Sequence, residues 1–287
     1  MNPRTGTHCS FWLAALALML VLAVPAMADL MIFPTRIVFE GRTRTAQVDL
    51  VNTDNRAATY RIGFAQRRMN ENGSFSNIDT PLASEQFADQ MIRYSPRQVV
   101  LAPGAGQAVR LLLRRPENLA DGEYRSHLVF ERVPDAPLPA AKPADDSDQS
   151  SAAPAADMNI KLTALVSVSI PVIVRHGVTN ATVSITQPRV QRDTQDGKPL
   201  IAFTVERSGN RSVYGDLTAY YTPPGGEPKA IAQASGVALY APYPKRNVTL
   251  HLNPGAGVPA DGGQLRVEFR ARPEDHRVLL GSAETSL

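Results

Sequence analysis

One cysteine, Cys9, is the only thiol in the chain, and it lies in a segment that reads as removable. Arg4 and His8 precede an apolar run from Phe11 to Val24, and Ala26-Met27-Ala28 then supplies small residues at a cleavage site. This is the charged–apolar–small pattern of a secretory signal. The run is short for a membrane span, and Cys9 comes too early for a lipoprotein cleavage site. Cleavage is expected after Ala28, so the mature chain starts at Asp29 and carries no disulfide, no thiol chemistry and no zinc knuckle, although it enters an oxidising compartment. The histidines, His8, His127, His176, His251 and His276, show no metal-ligand spacing. There is no G-x-S-x-G and no phosphate-cradling glycine loop. No basic run suits nucleic acid or a polybasic membrane anchor. These absences argue against an enzyme, a metal, a cofactor, a nucleic-acid partner and membrane insertion.

About 259 residues follow the signal, comfortable for two domains. Hydrophobic residues at 43% and charged residues at 20% are values of a folded chain. The pI near 9.1 hides a mature charge close to neutral, because loss of Arg4 removes one of 30 basic residues set against 27 acidic ones.

Short segments of period-two alternation recur between Gly, Pro, Asn and Asp punctuation, the pattern of strands and turns. The first half predicts strands over 31–39, 45–52, 60–69, 98–101, 109–113 and 124–133, with a turn at Asn70-Glu71-Asn72-Gly73. The second half predicts strands over 181–185, 201–207, 213–221, 236–240, 247–252 and 265–271. Many short strands without helical patterns predict sandwiches of two sheets. Residues 134–157, rich in Pro, Ala, Ser and Asp, are too poor in apolar surface to offset the entropy of ordering and read as a mobile loop.

Residues 158–174 read MNIKLTALVSVSIPVIV. Ile160, Leu162, Ala164, Val166, Val168, Ile170, Val172 and Val174 occupy every even position, so a strand here carries an unbroken apolar face. Pro171 and the β-branched content disfavour a helix. This strand reads as the last of the first domain, which puts the domains at 29–175, loop included, and 176–287. The plain reading of such a strand is that it covers its own core, and from Val168 onward that reading is favoured.

Thr35-Arg36-Ile37-Val38-Phe39-Glu40-Gly41, Asn52 after a strand, Ser95-Pro96-Arg97, Leu101-Ala102-Pro103-Gly104 ahead of Val109-Arg110-Leu111, Gly122-Glu123-Tyr124-Arg125-Ser126-His127-Leu128 and the strand ending Val174-Arg175 occur in this order. Together they resemble the periplasmic pilus chaperones, the PapD-like family, and the wording around residues 94–97 and 122–125 resembles its archaic or alternative branch. The resemblance implies an all-β protein of two immunoglobulin-like sandwich domains set at an angle. It implies a periplasmic chaperone that binds pilus subunits (pilins), lends them a strand, and delivers them to an outer-membrane usher. A secreted structural or adhesive pilus component is the alternative. A self-capping homo-oligomer would hide the same strand when no subunit is bound.

In that family, alternate side chains of the last strand fill a subunit's apolar groove, a form of β-augmentation. Ile160, Leu162, Ala164, Val166 and Val168 fall at those positions. The family also anchors the subunit's terminal carboxylate with basic residues in the cleft. Arg36 matches the first. The second is a lysine on the last strand, and this chain has Pro171 there, so Arg97 and Arg93 become candidate replacements. An acid–arginine–acid set linking the domains would map to Glu123, Arg175 and Asp275.

Overall fold

The computed structural model describes residues 30–134, 167–257, 259 and 262–287. The expected signal, most of the expected loop, and Ile160, Leu162, Ala164 and Val166 lie outside the described residues. In chain order the first half forms β1 (Leu30–Phe33), β2 (Ile37–Phe39), β3 (Thr45–Asn52), β4 (Ala58–Ala65), β5 (Arg67–Met69), β6 (Phe75–Asn77), β7 (Ile92–Ser95), β8 (Gln98–Leu101), β9 (Gly106–Leu113), β10 (Gly122–Arg132) and β11 (Ser167–His176). One sheet has the order β1-β3-β9-β7 and the other β2-β11-β10-β4-β8. This is the immunoglobulin arrangement, with the first strand divided between the sheets. Pairing is antiparallel except between β2 and β11.

Alternation decides which side chains face inward. Val48 and Leu50, Val109, Leu111 and Leu113, Leu128 and Phe130, and Ile170, Val172 and Val174 form one buried cluster between the two sheets. Asn52 ends β3 fully buried, and it is satisfied by loops rather than by a ladder. Its Nδ2 donates to the carbonyls of Arg56 (2.8 Å) and Leu101 (2.9 Å), and its Oδ1 accepts from the Asp54 amide (3.0 Å). A buried amide of this kind persists only when its hydrogen-bonding groups are matched.

The second half forms β12 (Ala181–Arg192), β13 (Pro199–Gly209), β14 (Val213–Thr222), β15 (Lys229–Leu239), β16 (Lys245–His251), β17 (Gln264–Ala271) and β18 (Leu279–Ser286). Its sheets are β12-β13-β16 and β15-β14-β17-β18, closing over a second cluster that includes Phe203, Leu217, Leu239, Leu265 and Phe269. Three side chains of the first half, Val38, Met69 and Ile173, pack into this second cluster, so the two sandwiches share an apolar seam.

Three expectations need correcting. Residues 31–39 are two strands in different sheets, because the chain changes sheet at Pro34-Thr35-Arg36, where Pro34 has no amide to donate. The predicted strand over 60–69 breaks at Gln66, and its end becomes the hairpin β5–β6. The strands β7 and β18 were not predicted. Ile92-Arg93-Tyr94-Ser95 is too short to show a period, and β18 has the sequence LLGSAETS, with small and polar residues in place of an apolar row.

Candidate functional site

A cleft of about 880 Å³ lies between the sandwiches, lined by residues of both, including Arg36, Arg175, Ser212, Tyr214 and Arg272. Its hinge end is polar. Glu123, 6% exposed, accepts from Arg175 Nε at 3.1 Å, from the Ser212 amide at 3.0 Å and from the Ser212 hydroxyl. Arg175 Nη1 also reaches Glu40 at 2.9 Å, and Glu40 takes Arg211 of the second sandwich at 3.2 Å. The structure thus brings Glu123 and Arg175 together. Asp275 is not brought to this pair: it lines the cleft from an exposed turn with no ion pair among the described residues, and Ser212 supplies the contact from the second sandwich. A carboxylate could not join Glu123 there without repulsion, whereas a hydroxyl and an amide donate to it.

Arg36 enters the cleft from the turn before β2, half-buried, with its Cζ 4.6 Å from the Tyr214 ring centroid and 5.5 Å from that of Tyr240. Arg93 and Arg97 do not join it. Arg93 stands exposed on β7, the edge strand of the other sheet, and Arg97 lies exposed over its neighbour Tyr94 at 5.0 Å. The sheet register explains this, since β7 pairs with β9 and not with β11.

Pro171 pairs with His127 across β10–β11, on the face turned to the second sandwich. His127 is 3% exposed, with both ring nitrogens lacking a hydrogen-bond partner among the described residues and Phe75 of β6 edge-on at 5.1 Å. Burial, with Arg125 and Arg67 nearby, pushes the imidazole down to about 3. Arg125, two residues along β10, is also buried. It donates to the Arg67 carbonyl at 3.1 Å and sits 4.2 Å from the Tyr240 ring.

The hairpin β5–β6 crosses to the second sandwich. Met69 is 3% exposed in the second core, the Asn247 amide donates to the Glu71 carbonyl at 2.6 Å, and Lys245 pairs with Glu71 at 3.1 Å. Gly73 at its turn has φ +83°, and a side chain there would run into the Arg246 guanidinium. Beside it, Arg68 binds Glu85 at 2.8 Å and the Tyr243 hydroxyl donates to Glu85 at 2.7 Å. The Arg68 guanidinium, helped by Tyr243, holds the Glu85 carboxyl down to about 2 against the cost of burial.

Sequence reading missed Ser212, Tyr214, Tyr240, Tyr243 and Arg272, all from the second half. The one available signal was the tyrosine spacing, Tyr214 and then Tyr240-Ala-Pro-Tyr243. Val168 is corrected in its role: it packs, half-buried, against the first sandwich's own core opposite Phe130.

No protein-family model matches the chain, and no curated protein matches it. Among solved structures it is similar to the YadV chaperone (12% identity, 91% of this chain and 100% of that chain, TM-score 0.44). It is also similar to the Pseudomonas aeruginosa CupB2 chaperone (11% identity, 90% and 100%, TM-score 0.41). A third likeness is to a chain of the CsuC–CsuE chaperone–tip adhesion subunit pre-assembly complex of Acinetobacter baumannii (14% identity, 84% and 93%, TM-score 0.41).

Proposed function

We propose that this chain is a periplasmic chaperone of the chaperone-usher class, which holds pilus subunits by donor-strand complementation and presents them to an outer-membrane usher. It is a binding protein and not an enzyme. The observation that carries the reading is the register at the start of β11. Glu131 pairs with Ser167, and β10 ends one residue later at Arg132. The alternating row Ile160, Leu162, Ala164 and Val166 lies upstream of that pair in the sequence, beyond the end of the β10–β11 ladder. An uncovered apolar row is a hazard for a lone protein and an asset for one that completes another's sheet, and the alternation of these residues suits the second use. Each large side chain moved from water into a groove contributes roughly 1.5–3 kcal/mol before ordering costs. Arg36, the cleft cation without a carboxylate partner among the described residues, suits the subunit's terminal carboxylate.

The test is a double substitution, Leu162→Glu with Val166→Glu. We expect a normally folded protein that no longer protects its subunit, read as loss of the co-purifying periplasmic pilin. Unchanged pilin levels would sink the donor role.

A further inference from the structure

Arginine and tyrosine alternate across the interface between the sandwiches. Following the row, Arg272, Tyr214, Arg36, Tyr240, Arg125 and Tyr243 are spaced, guanidinium carbon to ring centroid, at 5.9, 4.6, 5.5, 4.2 and 5.6 Å. Arg36 and Arg125 come from the first sandwich and the other four from the second. Two guanidiniums, Arg36 and Arg272, thus share the ring of Tyr214, and both line the cleft.

The other cations of the cleft are engaged. Arg175 is held by Glu123 and Glu40, and Arg211 by Glu40. Arg272 is tethered through Nη1 to Asp216 at 2.7 Å, and Asp216 is not among the residues lining the cleft. Its Nε makes only a long ion pair, 3.9 Å to Oε1 of the exposed, cleft-lining Glu274, too far for a hydrogen bond, and is buried without an acceptor among the described residues. Arg36 Nη1 is buried without an acceptor in the same way. At Pro171, where the chaperone family has a lysine, the facing group is neutral His127, sealed by Phe75. An aromatic face attracts a guanidinium without neutralising it, so Arg36 keeps its charge for a ligand, while Arg272, its charge matched by Asp216, offers the buried Nε–H that has no acceptor among the described residues.

We propose that Arg272, held beside Arg36 on Tyr214, is the second cation of a carboxylate-binding seat in this cleft, and that Tyr214 is the positioning residue that brings together one guanidinium from each sandwich. The proposal rests on the reading of the cleft as the anchor for a subunit's terminal carboxylate. It moves the second anchor from the last strand of the first sandwich to the end of β17, where Arg272 follows Ala271. The seat exists only while the two sandwiches keep their relation, because each contributes one cation.

Calorimetric titration with a short peptide of alternating valine and threonine tests it, the peptide ending in a free carboxylate or in an amide. The parent protein should bind the acid about tenfold more tightly than the amide, as one charge-assisted contact implies. Arg36→Gln should abolish that preference. Arg272→Gln should reduce it several-fold while leaving amide binding unchanged, and Arg272→Lys should restore most of it. Tyr214→Phe should keep the preference and Tyr214→Leu should weaken it. If Arg272→Gln retains the parent's preference while Arg36→Gln loses it, the second cation is refuted and the Arg36 anchor stands. If the parent does not tell acid from amide, the anchor reading falls and takes this one with it.

Discussion

His127 carries two ring nitrogens into an interior where neither has a hydrogen-bond partner among the described residues. The groups facing it are Pro171 and Ala65 across the sheet, Phe75 from the hairpin, and the cations Arg125 and Arg67. Its folded pKa is about 3 and its unfolded value 6.5, so between those pH values the unfolded chain binds a proton that the folded chain refuses. Stability is therefore complete above pH 6.5 and falls as pH drops, by up to about 1.4 kcal/mol per pH unit. His127→Leu should be at least as stable as the parent at pH 7.5 and should lose less of its melting midpoint on transfer to pH 5. Equal losses in the two proteins would show that His127 is not the acid-sensitive group. Glu85 acts in a lower window: its pKa is depressed from 4.5 to about 2, so its contribution is present above 4.5 and is lost only as pH falls below that. At this scale the sequence was legible where a residue's role is local. Asn52, whose side chain caps its own turn and the end of β8, is such a residue. Ser212, Tyr214 and Arg272 were not legible, because their roles arise from a pairing of two sandwiches that no period within one strand encodes.

Among the elements, β3 and β8 were legible residue for residue, β3 from the alternation of Ala46, Val48 and Leu50 and β8 from the Pro103-Gly104 that follows it. The hairpin β5–β6 was half legible. Its turn was visible at Asn70-Glu71-Asn72-Gly73, but Phe75-Ser76-Asn77 is exposed along its length and shows no period. What the hairpin does could not be read at all, because Met69 serves the core of the other sandwich. Met69→Ala should cost about 2–4 kcal/mol, the range for opening a cavity at a buried long side chain, as read by denaturant midpoint. Lys245→Ala removes only the exposed pair with Glu71 and should cost under about 0.5 kcal/mol. The reverse ranking would mean that the hairpin is held by charge and not by packing.

For the whole molecule, two tethers lie apart in the interface. One is polar, the Glu123 carboxylate shared by Arg175 and Ser212, and the other is the hairpin with Met69. Glu123→Ala leaves the Arg175 Nε and the Ser212 amide without their acceptor, although Arg175 keeps Glu40. A loss of about 3 kcal/mol is expected, mostly the cost of the stranded donors. Each single substitution leaves the other tether in place, so Glu123→Ala and Met69→Ala should each still unfold in one calorimetric transition. The double variant weakens both, leaving Val38 and Ile173 in the seam and the Glu71 contacts of the hairpin, and should behave differently from the sum of its parts. The two sandwiches, each with its own core, should then melt in two transitions, and small-angle scattering should show a broader range of separations. The Arg–Tyr row across the cleft would lose its register with them, and with it any seat that draws one cation from each side. A double variant that melts in one step with the parent's scattering curve would show that neither tether sets the relation between the sandwiches.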